Sequence, residues 1–215
     1  DVGHVGHGTT VATNLVIERR GALTGLITTR GDIEWLLAHK PKGSILLVDE
    51  AYIQFSDAQS CLDLIPQGAD LLVTRTFSKI YGLAGLRCGL IAGRKDLLDG
   101  MARYGVNITP MPAVVAAEAS LLDPDLVPMR KAQNKAVRDD LIAWCAAQGL
   151  RTLPSQASFL MIHVGRPGAD VTAALAKARI FIGGPRKHME DWVRVSIGTA
   201  AEMQAFKAAL LKVLA

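Results

Sequence analysis

The 215-residue sequence has no long hydrophobic run, few aromatic residues and few cysteines. Its longest apolar stretches, such as residues 45–48 and 113–117, are far shorter than the ~20 residues of a membrane helix, so we expect no membrane span. Only 5% of the residues are aromatic and the basic residues are scattered, which disfavours a nucleic-acid groove. The 3 cysteines form no CxxC pair, which is typical of reduced thiols in a cytoplasmic protein.

Half of the residues are hydrophobic, which is sufficient to build the core of one large domain or two small ones. The net charge is +4, from 24 basic and 20 acidic residues spread along the chain. This modest positive charge fits a small anionic ligand better than a nucleic acid.

Strand and helix patterns alternate in the first half of the chain. Continuous apolar runs predict three strands that are buried on both faces of a parallel sheet, at residues 44–49, 70–74 and 88–92. Helical patterns are found at residues 32–39, 95–104 and 113–122. The alternation predicts an α/β layer fold.

The second half of the chain predicts a smaller α+β domain that begins with a long amphipathic helix. That helix covers residues 125–148, and Gly149 follows it in the C′ position. The other predicted elements are two alternating strands at residues 158–164 and 192–196, and a last helix to Ala215 that begins at the capping box Thr199-Ala-Ala-Glu202. We therefore predict a large domain over residues 1–122 and a small domain over residues 123–215.

Two carboxylates end the first predicted strand, in Val48-Asp49-Glu50-Ala51-Tyr52. In open α/β sheets, ligands bind at the carboxyl ends of the strands. Asp49 would stay ionised there if it faced a cation, such as a metal ion or a protonated ring nitrogen. The alternative is that Asp49 only caps the turn that follows the strand.

Lys79 lies in a loop of small residues directly after the second predicted strand. Poor solvation at such a place favours the neutral, nucleophilic amine. The residues around it either suit a phosphate group or let the backbone approach a ligand closely: Thr76, Ser78, Gly82, Gly85 and Arg87. Lys79 alone would be interpreted as a surface lysine, but the set predicts a site for a phosphorylated aldehyde cofactor.

Arg194 lies inside an alternating strand pattern, Trp192-Val-Arg-Val-Ser196. Val193, Val195 and Ile197 share one face of this strand, so Arg194 lies on the opposite face. Periodicity leaves two interpretations open. Arg194 either faces solvent or anchors the carboxylate of a substrate.

The start of the chain contains a degenerate nucleotide-binding pattern. Gly3-x-x-x-x-Gly8-Thr9-Thr10 has P-loop spacing, and residues 45–50 resemble a Walker B strand. Threonine replaces the P-loop lysine, and no apolar strand precedes the loop, so a nucleoside triphosphatase is a minor alternative. The pair His4-x-x-His7 has no further ligand cluster near it, so we predict no metal site.

The segment Ser78-Lys79-Ile-Tyr-Gly-Leu-Ala-Gly-Leu-Arg87 resembles the class I/II aminotransferases that use pyridoxal phosphate, and among them the histidinol-phosphate aminotransferases. Asp49-Glu-Ala-Tyr52 and Val193-Arg-Val-Ser-Ile-Gly198 match the same family. The similarity extends from about Thr24 to Ala215. It implies a partial three-layer α/β/α large domain of a fold-type I pyridoxal-phosphate enzyme, a small C-terminal α+β domain, and a homodimer.

The resemblance also implies a role for each matching residue. Lys79 would form the Schiff base with the cofactor and move the proton, while Asp49 would pair with the pyridinium nitrogen. Tyr52 would hydrogen-bond the phenolic oxygen. The phosphate would be bound by Thr76, Ser78 and Arg87, and the carboxylate or phosphate end of the substrate by Arg194. The substrates implied are an amino acid or an amino alcohol phosphate, with 2-oxoglutarate or glutamate as partner.

The sequence departs from the family at several positions. Ala22-Leu-Thr-Gly25 stands where the family has Asn-Pro-Thr-Gly, which removes a contact to the cofactor's ring oxygen. Gly184 stands at a family arginine, with Arg186 nearby, and Ser158 stands at a family asparagine. Residues 1–23 match nothing in the family, whose members extend far upstream, so we expect an N-terminally incomplete chain. The alternative to an active enzyme is a non-catalytic or truncated relative.

Overall fold

The computed structural model describes residues 29–102 and 109–215. The chain divides between Pro124 and Asp125 into two compact units. The helices and strands described in the first unit are α1 (Arg30–His39), β1 (Leu46–Asp49), β2 (Leu71–Thr76), β3 (Gly89–Gly93), α2 (Lys95–Ala102) and α3 (Met111–Leu122). Those of the second unit are α4 (Leu126–Ala147), β4 (Phe159–His163), α5 (Gly168–Lys177), β5 (Trp192–Ser196) and α6 (Ala200–Leu214).

The sheet of the first unit has the order β1-β2-β3, with β1 parallel and β3 antiparallel to β2. Asp49 lies opposite Thr74, and Thr76 lies opposite Gly89. Glycine is needed at position 89 because a Cβ atom there would lie 2.8 Å from the carbonyl oxygen of Arg75. The parallel pairing of β1 with β2 places the carboxyl ends of these two strands next to each other.

Two predictions about this sheet are wrong. β1 is not buried on both faces, because Ile45 and Leu47 are 50% and 57% exposed and the described residues cover only the opposite face. β3 is antiparallel and largely exposed rather than parallel and buried. The physical reason is the connection, because residues 77–88 form a loop with one short 3₁₀ turn and lack the helix that usually makes a parallel crossover.

The core of the first unit lies between α1 and the sheet. Thr29 and Asp32 form a capping box in which each backbone N–H donates to the other side chain, so α1 begins two residues before its predicted start. The helix then directs Ile33 into the core beside Leu71 and Val73. Packing on this side fixes the position of β2, whose far end leads into the loop that contains Lys79.

The second unit packs three helices against a two-stranded antiparallel sheet. Met161 on β4 lies opposite Arg194 on β5. One face of the sheet is buried, and its residues join the core with side chains from α4, α5 and α6: Leu160, Ile162, Val193 and Val195. The alternation leaves Arg194 on the other face, as predicted.

Most predicted elements of this unit are confirmed. Gly149 follows α4 with φ +70°, the left-handed conformation that makes glycine favourable at a helix end. The capping box at α6 is present, since Thr199 N–H donates to Glu202 at 2.6 Å and Glu202 N–H donates to the Thr199 hydroxyl at 3.3 Å. Helix α5 was not predicted. Its signals are Pro167 ahead of its first residue and the buried i, i+4 pair Val171 and Leu175.

The cysteines are free thiols, as predicted: Cys61 and Cys145 are buried and Cys88 is half-buried. Burial raises the pKa of the Cys61 thiol, and the charge of Glu50 raises it further. Cys61 is therefore an inert core residue at neutral pH rather than a nucleophile. Among the described helices, none combines the length and the apolarity needed to cross a membrane.

Candidate active site

Asp49 ends β1 with its side chain exposed. Its Oδ1 atom accepts hydrogen bonds from the backbone N–H of Ala51 at 3.0 Å and from the hydroxyl of Thr74 at 3.2 Å. Asp49 therefore does cap the turn after β1, as one of the two interpretations predicts, because it accepts the Ala51 N–H. The bond from Thr74 on the neighbouring strand fixes the carboxylate across the sheet, and both bonds use the same oxygen. Among residues 29–102 and 109–215, no hydrogen bond to Oδ2 is found.

Tyr52 and Lys79 lie together beyond these strand ends. Tyr52 precedes a short 3₁₀ turn (Ile53–Phe55), and Lys79 lies in the loop after β2. The Lys79 Nζ atom lies 5.2 Å from the centroid of the Tyr52 ring. Both side chains are half-buried, so the amine remains accessible to a small molecule. The structure therefore brings a primary amine, a phenol and the end of the Asp49 strand to one edge of the sheet.

The loop that contains Lys79 is held by short-range hydrogen bonds. Ser78 N–H donates to the Thr76 hydroxyl at 3.0 Å, and Gly82 N–H donates to the Lys79 carbonyl at 2.9 Å. Gly82 has φ +72°, which requires glycine for an unstrained turn. Phe77, buried between these polar residues, fixes the loop in the core. The sequence prediction treated Gly82 as a means of ligand approach, and the structure gives it this additional local reason.

Arg87 ends the Lys79 loop in an unusual conformation. It has φ +55° and ψ +50°, in the left-handed region, and its side chain is exposed. One nitrogen, Nη1, donates to the Ala84 carbonyl at 2.8 Å. The left-handed conformation is uncommon for arginine and costs free energy, which is a feature of residues held in place at ligand sites.

Glu50, the second carboxylate at the end of the first predicted strand, connects these strand ends together with Ser60 and Arg75, which the sequence analysis did not single out. Glu50 is only 5% exposed, and its carboxylate accepts hydrogen bonds from the Ser60 hydroxyl and from Arg75. Arg75 donates through Nε at 3.0 Å and Nη2 at 2.9 Å. The sequence signal was a charged residue directly after the predicted strand at residues 70–74, because a charge next to a buried run needs a partner.

Arg194 lies in the second unit, on the half-exposed face of β5. Its guanidinium carbon lies 4.1 Å from the centroid of the Phe159 ring. Its backbone exchanges two hydrogen bonds with Gly183, at 2.8 and 3.0 Å, and a Cβ atom on Gly183 would lie 3.2 Å from the Arg194 Cβ. The strand position, the ring and the close glycine together restrict where the guanidinium points.

Several sequence predictions lie outside the described residues. These are the P-loop-like segment at residues 3–10, the pair His4 and His7, and the departure at Ala22–Gly25. Within residues 29–102 and 109–215, no three His, Cys, Asp or Glu side chains are grouped closely enough to hold a metal ion. The candidate site residues in these two ranges offer an amine, a carboxylate, a phenol, hydroxyls and guanidinium groups.

A family model for the class I and II aminotransferases matches residues 14–210 of the chain. The chain belongs to this aminotransferase family. The predicted family is therefore confirmed, and with it the expectation of a pyridoxal-phosphate-dependent transferase fold. The P-loop alternative is not supported.

Individual aminotransferases show the same relationship. The chain is 34% identical over 197 residues to histidinol-phosphate aminotransferase 2 of Methylococcus capsulatus, a match that covers 89% of this chain and 53% of that protein. It is 34% identical to the histidinol-phosphate aminotransferase of Halalkalibacterium halodurans, again over 89% of this chain and 53% of the other. The chain thus spans about half the length of the curated relatives that it matches.

The fold is shared with solved aminotransferases. The histidinol-phosphate aminotransferase of Sinorhizobium meliloti, solved in complex with pyridoxal 5'-phosphate, superposes with a TM-score of 0.79 and 25% identity. This match covers 90% of the chain and 55% of that structure. The predicted α/β fold of a fold-type I pyridoxal-phosphate enzyme is confirmed, and the predicted cofactor is the one bound in that aminotransferase.

Proposed function

We propose that the chain carries the catalytic lysine and most of the cofactor and substrate residues of a pyridoxal-phosphate-dependent aminotransferase of the histidinol-phosphate type. The observation that carries this proposal is the cluster at the ends of β1 and β2, where the Lys79 amine lies 5.2 Å from the Tyr52 ring and Asp49 is bonded to Thr74. The reaction would transfer an amino group between an amino acid or amino alcohol phosphate and 2-oxoglutarate or glutamate. The active form would be a cytoplasmic homodimer, as is typical of the family.

The donor set fits pyridoxal phosphate. Lys79 supplies a primary amine for the aldehyde carbon, and the Asp49 carboxylate, whose described hydrogen bonds all use Oδ1, supplies a negative charge for the pyridinium nitrogen. The Tyr52 hydroxyl is a donor for the phenolic oxygen. The phosphate would be bound by the hydroxyls and the guanidinium that surround the Lys79 loop: Thr76, Ser78 and Arg87. When bound, the cofactor withdraws electrons from the substrate's Cα through its protonated ring.

Each residue then has a defined task. Asp49 would keep the ring nitrogen protonated, because its carboxylate is already held in place by the Thr74 hydroxyl. Lys79 Nζ would hold the cofactor and, once released from it, would accept the proton of the substrate's Cα. Tyr52 orients the amine because its ring lies next to it.

Arg194 would bind the anionic end of the substrate. A guanidinium matches either a carboxylate or a phosphate with two parallel hydrogen bonds, so it suits both substrate classes. The histidinol-phosphate assignment is supported by the relatives at 34% identity and not by a residue that distinguishes the two anions.

The proposal is tested by adding pyridoxal phosphate to the chain and recording its visible spectrum. The expected result is a new absorption band that borohydride converts into a stable pyridoxyl group on Lys79, identified by peptide mass spectrometry. Lys79→Ala should abolish both. Lys95→Ala is the matched control, because Lys95 is a surface lysine whose side chain is 87% exposed.

Two outcomes would contradict the proposal. Identical spectra for the unsubstituted chain and Lys79→Ala would exclude specific cofactor binding at this lysine. A chain that forms the pyridoxyl adduct on Lys79 but moves no amino group from any amino acid or amino alcohol phosphate would favour the alternative of a non-catalytic relative.

The substrate role of Arg194 is tested separately. Arg194→Ala should weaken the use of the anionic substrate while leaving the cofactor's absorption band unchanged. Arg151→Ala is the control, because Arg151 is an exposed arginine that contacts Trp192 in the same sheet, 5.9 Å from its ring centroid. Equal loss of substrate use and of the band in Arg194→Ala would show a general structural role instead.

A further inference from the structure

Glu50 is a buried carboxylate between two residues of the candidate cofactor site. It follows Asp49 directly and precedes Tyr52 by two residues. Whereas Asp49 is exposed, the Glu50 side chain is 3% exposed and turns into the protein. Its Oε1 accepts the backbone N–H of Cys61 at 2.6 Å, and its Oε2 accepts the Ser60 hydroxyl at 2.8 Å.

Arg75 on β2 completes this network. Its Nε and Nη2 atoms both donate to Oε2 of Glu50, and Nη2 also donates to the Ser60 hydroxyl at 2.7 Å. Arg75 lies between Thr74, whose hydroxyl donates to Asp49, and Thr76, the last residue of β2, whose hydroxyl accepts the Ser78 N–H. The ion pair therefore joins the two strand ends at the level where both lead into the candidate site.

From this geometry we infer that Glu50 and Arg75 are a positioning pair for the cofactor residues. The pair fixes the end of β1, and with it Asp49 and Tyr52, relative to the end of β2, and with it Lys79. This inference rests on the proposed function, since it assigns the pair a task at the proposed cofactor site. Because the Glu50 carboxylate and the Arg75 guanidinium bond each other and Ser60, the pair would act through Asp49 and Lys79 rather than on the cofactor itself.

The network has the properties that such a task needs. The Glu50 carboxylate is buried and both of its oxygens accept hydrogen bonds, while the Arg75 side chain is 23% exposed. Movement of Glu50 away from Arg75 would leave a buried charge without its partner, so the carboxylate tolerates only a narrow range of geometries. An exposed pair lacks this property. The carboxylate of Asp63, which pairs with Arg30 at 2.7 Å, is 48% exposed and can exchange its partner for water.

The experiment compares Glu50→Gln and Arg75→Lys with Asp63→Asn as the matched control. Pyridoxal phosphate is titrated into each full chain and the visible band is recorded as a function of cofactor concentration and of pH. A small displacement of positioned groups can lower the rate of an enzyme up to about 100-fold. We expect the displacement in Glu50→Gln to weaken cofactor binding at least about tenfold. Its band should also titrate at a different pH, because Asp49 no longer meets the ring nitrogen. Asp63→Asn should leave both unchanged.

A second measurement needs no cofactor. The amide of Ala51 bonds to Asp49, and the amide of Ser78 bonds to Thr76, so both report on the two strand ends. Their hydrogen exchange should be faster in Glu50→Gln and Arg75→Lys than in Asp63→Asn. Where a variant does not fold, Ser60→Ala replaces it, because this change removes one hydroxyl from the network and leaves the ion pair. Ser60→Ala should shift binding and exchange in the same direction by a smaller factor.

The outcomes separate the two proposals. If the unsubstituted chain forms no band with pyridoxal phosphate, the proposed function fails and the positioning role fails with it. If that chain forms the band and folded Glu50→Gln gives the same affinity and the same pH titration, only the positioning role is overturned. A fall in thermal stability without any change of the band would likewise show that the pair is purely structural.

Discussion

The contact of Arg194 with Phe159 has a measurable consequence at the scale of single residues. The ring lies 4.1 Å from the guanidinium carbon, a distance at which a cation–π attraction is worth about 0.5–1 kcal/mol at a partly exposed site. Phe159→Leu removes the aromatic face and keeps an apolar side chain. We expect it to weaken binding of the anionic substrate by a factor of about 2–5, the equivalent of that energy.

The measurement is the KM for the anionic substrate, with the cofactor's absorption band as an internal reference. Phe159→Tyr is the control, because it keeps the ring and should keep the KM. A loss in Phe159→Leu of both the band and substrate use would indicate general damage to β4 rather than a change in the guanidinium's orientation. An unchanged KM would show that the ring does not orient Arg194.

Single residues also show how far the sequence could predict the site. Asp49 stands out because it ends a recognisable apolar strand, and Lys79 because it lies in the loop directly after another. The structure pairs these two strands. Tyr52 came only from the family resemblance, since nothing in its spacing distinguishes it. The Glu50–Arg75 pair was missed because its two members are far apart in sequence, and their pairing depends on which strands are neighbours.

At the scale of secondary-structure elements, the capping box of α6 predicts a stability change. Thr199→Ala removes the hydroxyl that accepts the Glu202 N–H, leaving a helix-end donor without that partner. The expected loss is about 1 kcal/mol in the free energy of unfolding. Urea unfolding followed by tryptophan fluorescence measures it in a Trp35→Phe background, where the remaining tryptophans, Trp144 and Trp192, both lie in the second unit.

Thr199→Ser is the control for this change, because serine keeps the capping oxygen. It should retain most of the stability. Equal midpoints for Thr199→Ala and the unsubstituted chain would show that solvent replaces the cap at no cost.

The acidic half of the same box gives a pH prediction. The Thr199 backbone N–H and then its hydroxyl hold the pKa of the Glu202 carboxyl below its ordinary value of 4.5. A carboxyl whose pKa is lowered by folding stabilises the folded state above its unfolded pKa and loses this effect as the pH falls through its folded pKa. The stability difference between the unsubstituted chain and Glu202→Gln should therefore be constant near neutral pH and shrink below about pH 4.5.

This prediction is checked by urea unfolding of both chains over a pH series. A difference that stays constant well below pH 4.5 would contradict the lowered pKa. Glu118→Gln is the control, because Glu118 is an exposed acid on α3. Its effect on the unfolding midpoint over the same pH series shows what the loss of an ordinary surface carboxylate does.

Elements with local signals were predicted well, and those set by long-range contacts were not. Helices α4 and α6 carry their own amphipathic pattern and end signals, so their bounds lie within a residue or two of the prediction. The direction of β3 depends on the path of the loop before it, and an apolar run gives no information about direction. Helix α5 was missed because it is short and follows a turn rich in glycine and proline.

At the scale of the whole molecule, the two units differ in how their apolar residues are distributed. The second unit has a cluster of 12 buried hydrophobic residues, all supplied by residues 125–215. In the described part of the first unit, the corresponding cluster has five such residues. Several apolar side chains of that unit are more than half exposed: Trp35, Leu47, Met111, Val115 and Leu122. Among the described residues, the second unit therefore holds the larger buried cluster.

We accordingly predict that residues 125–215 fold without the rest of the chain. A fragment that begins at Asp125 keeps the whole of α4, and Lys207 on α6 still donates to Asp140 on α4 at 2.6 Å. Because each of the 12 core residues keeps its neighbours from the same cluster, unfolding in urea should be cooperative when followed by circular dichroism and by Trp144 and Trp192 fluorescence.

Leu141→Ala, which truncates a fully buried core residue, should lower the free energy of unfolding by about 2–5 kcal/mol. Leu211→Ala on the partly exposed side of α6 should cost much less. A gradual transition that both substitutions leave unchanged would mean that the fragment has no fixed core. The second unit would then depend on the remainder of the chain for its fold, and Arg194 could not be held in place by β4 and β5 alone.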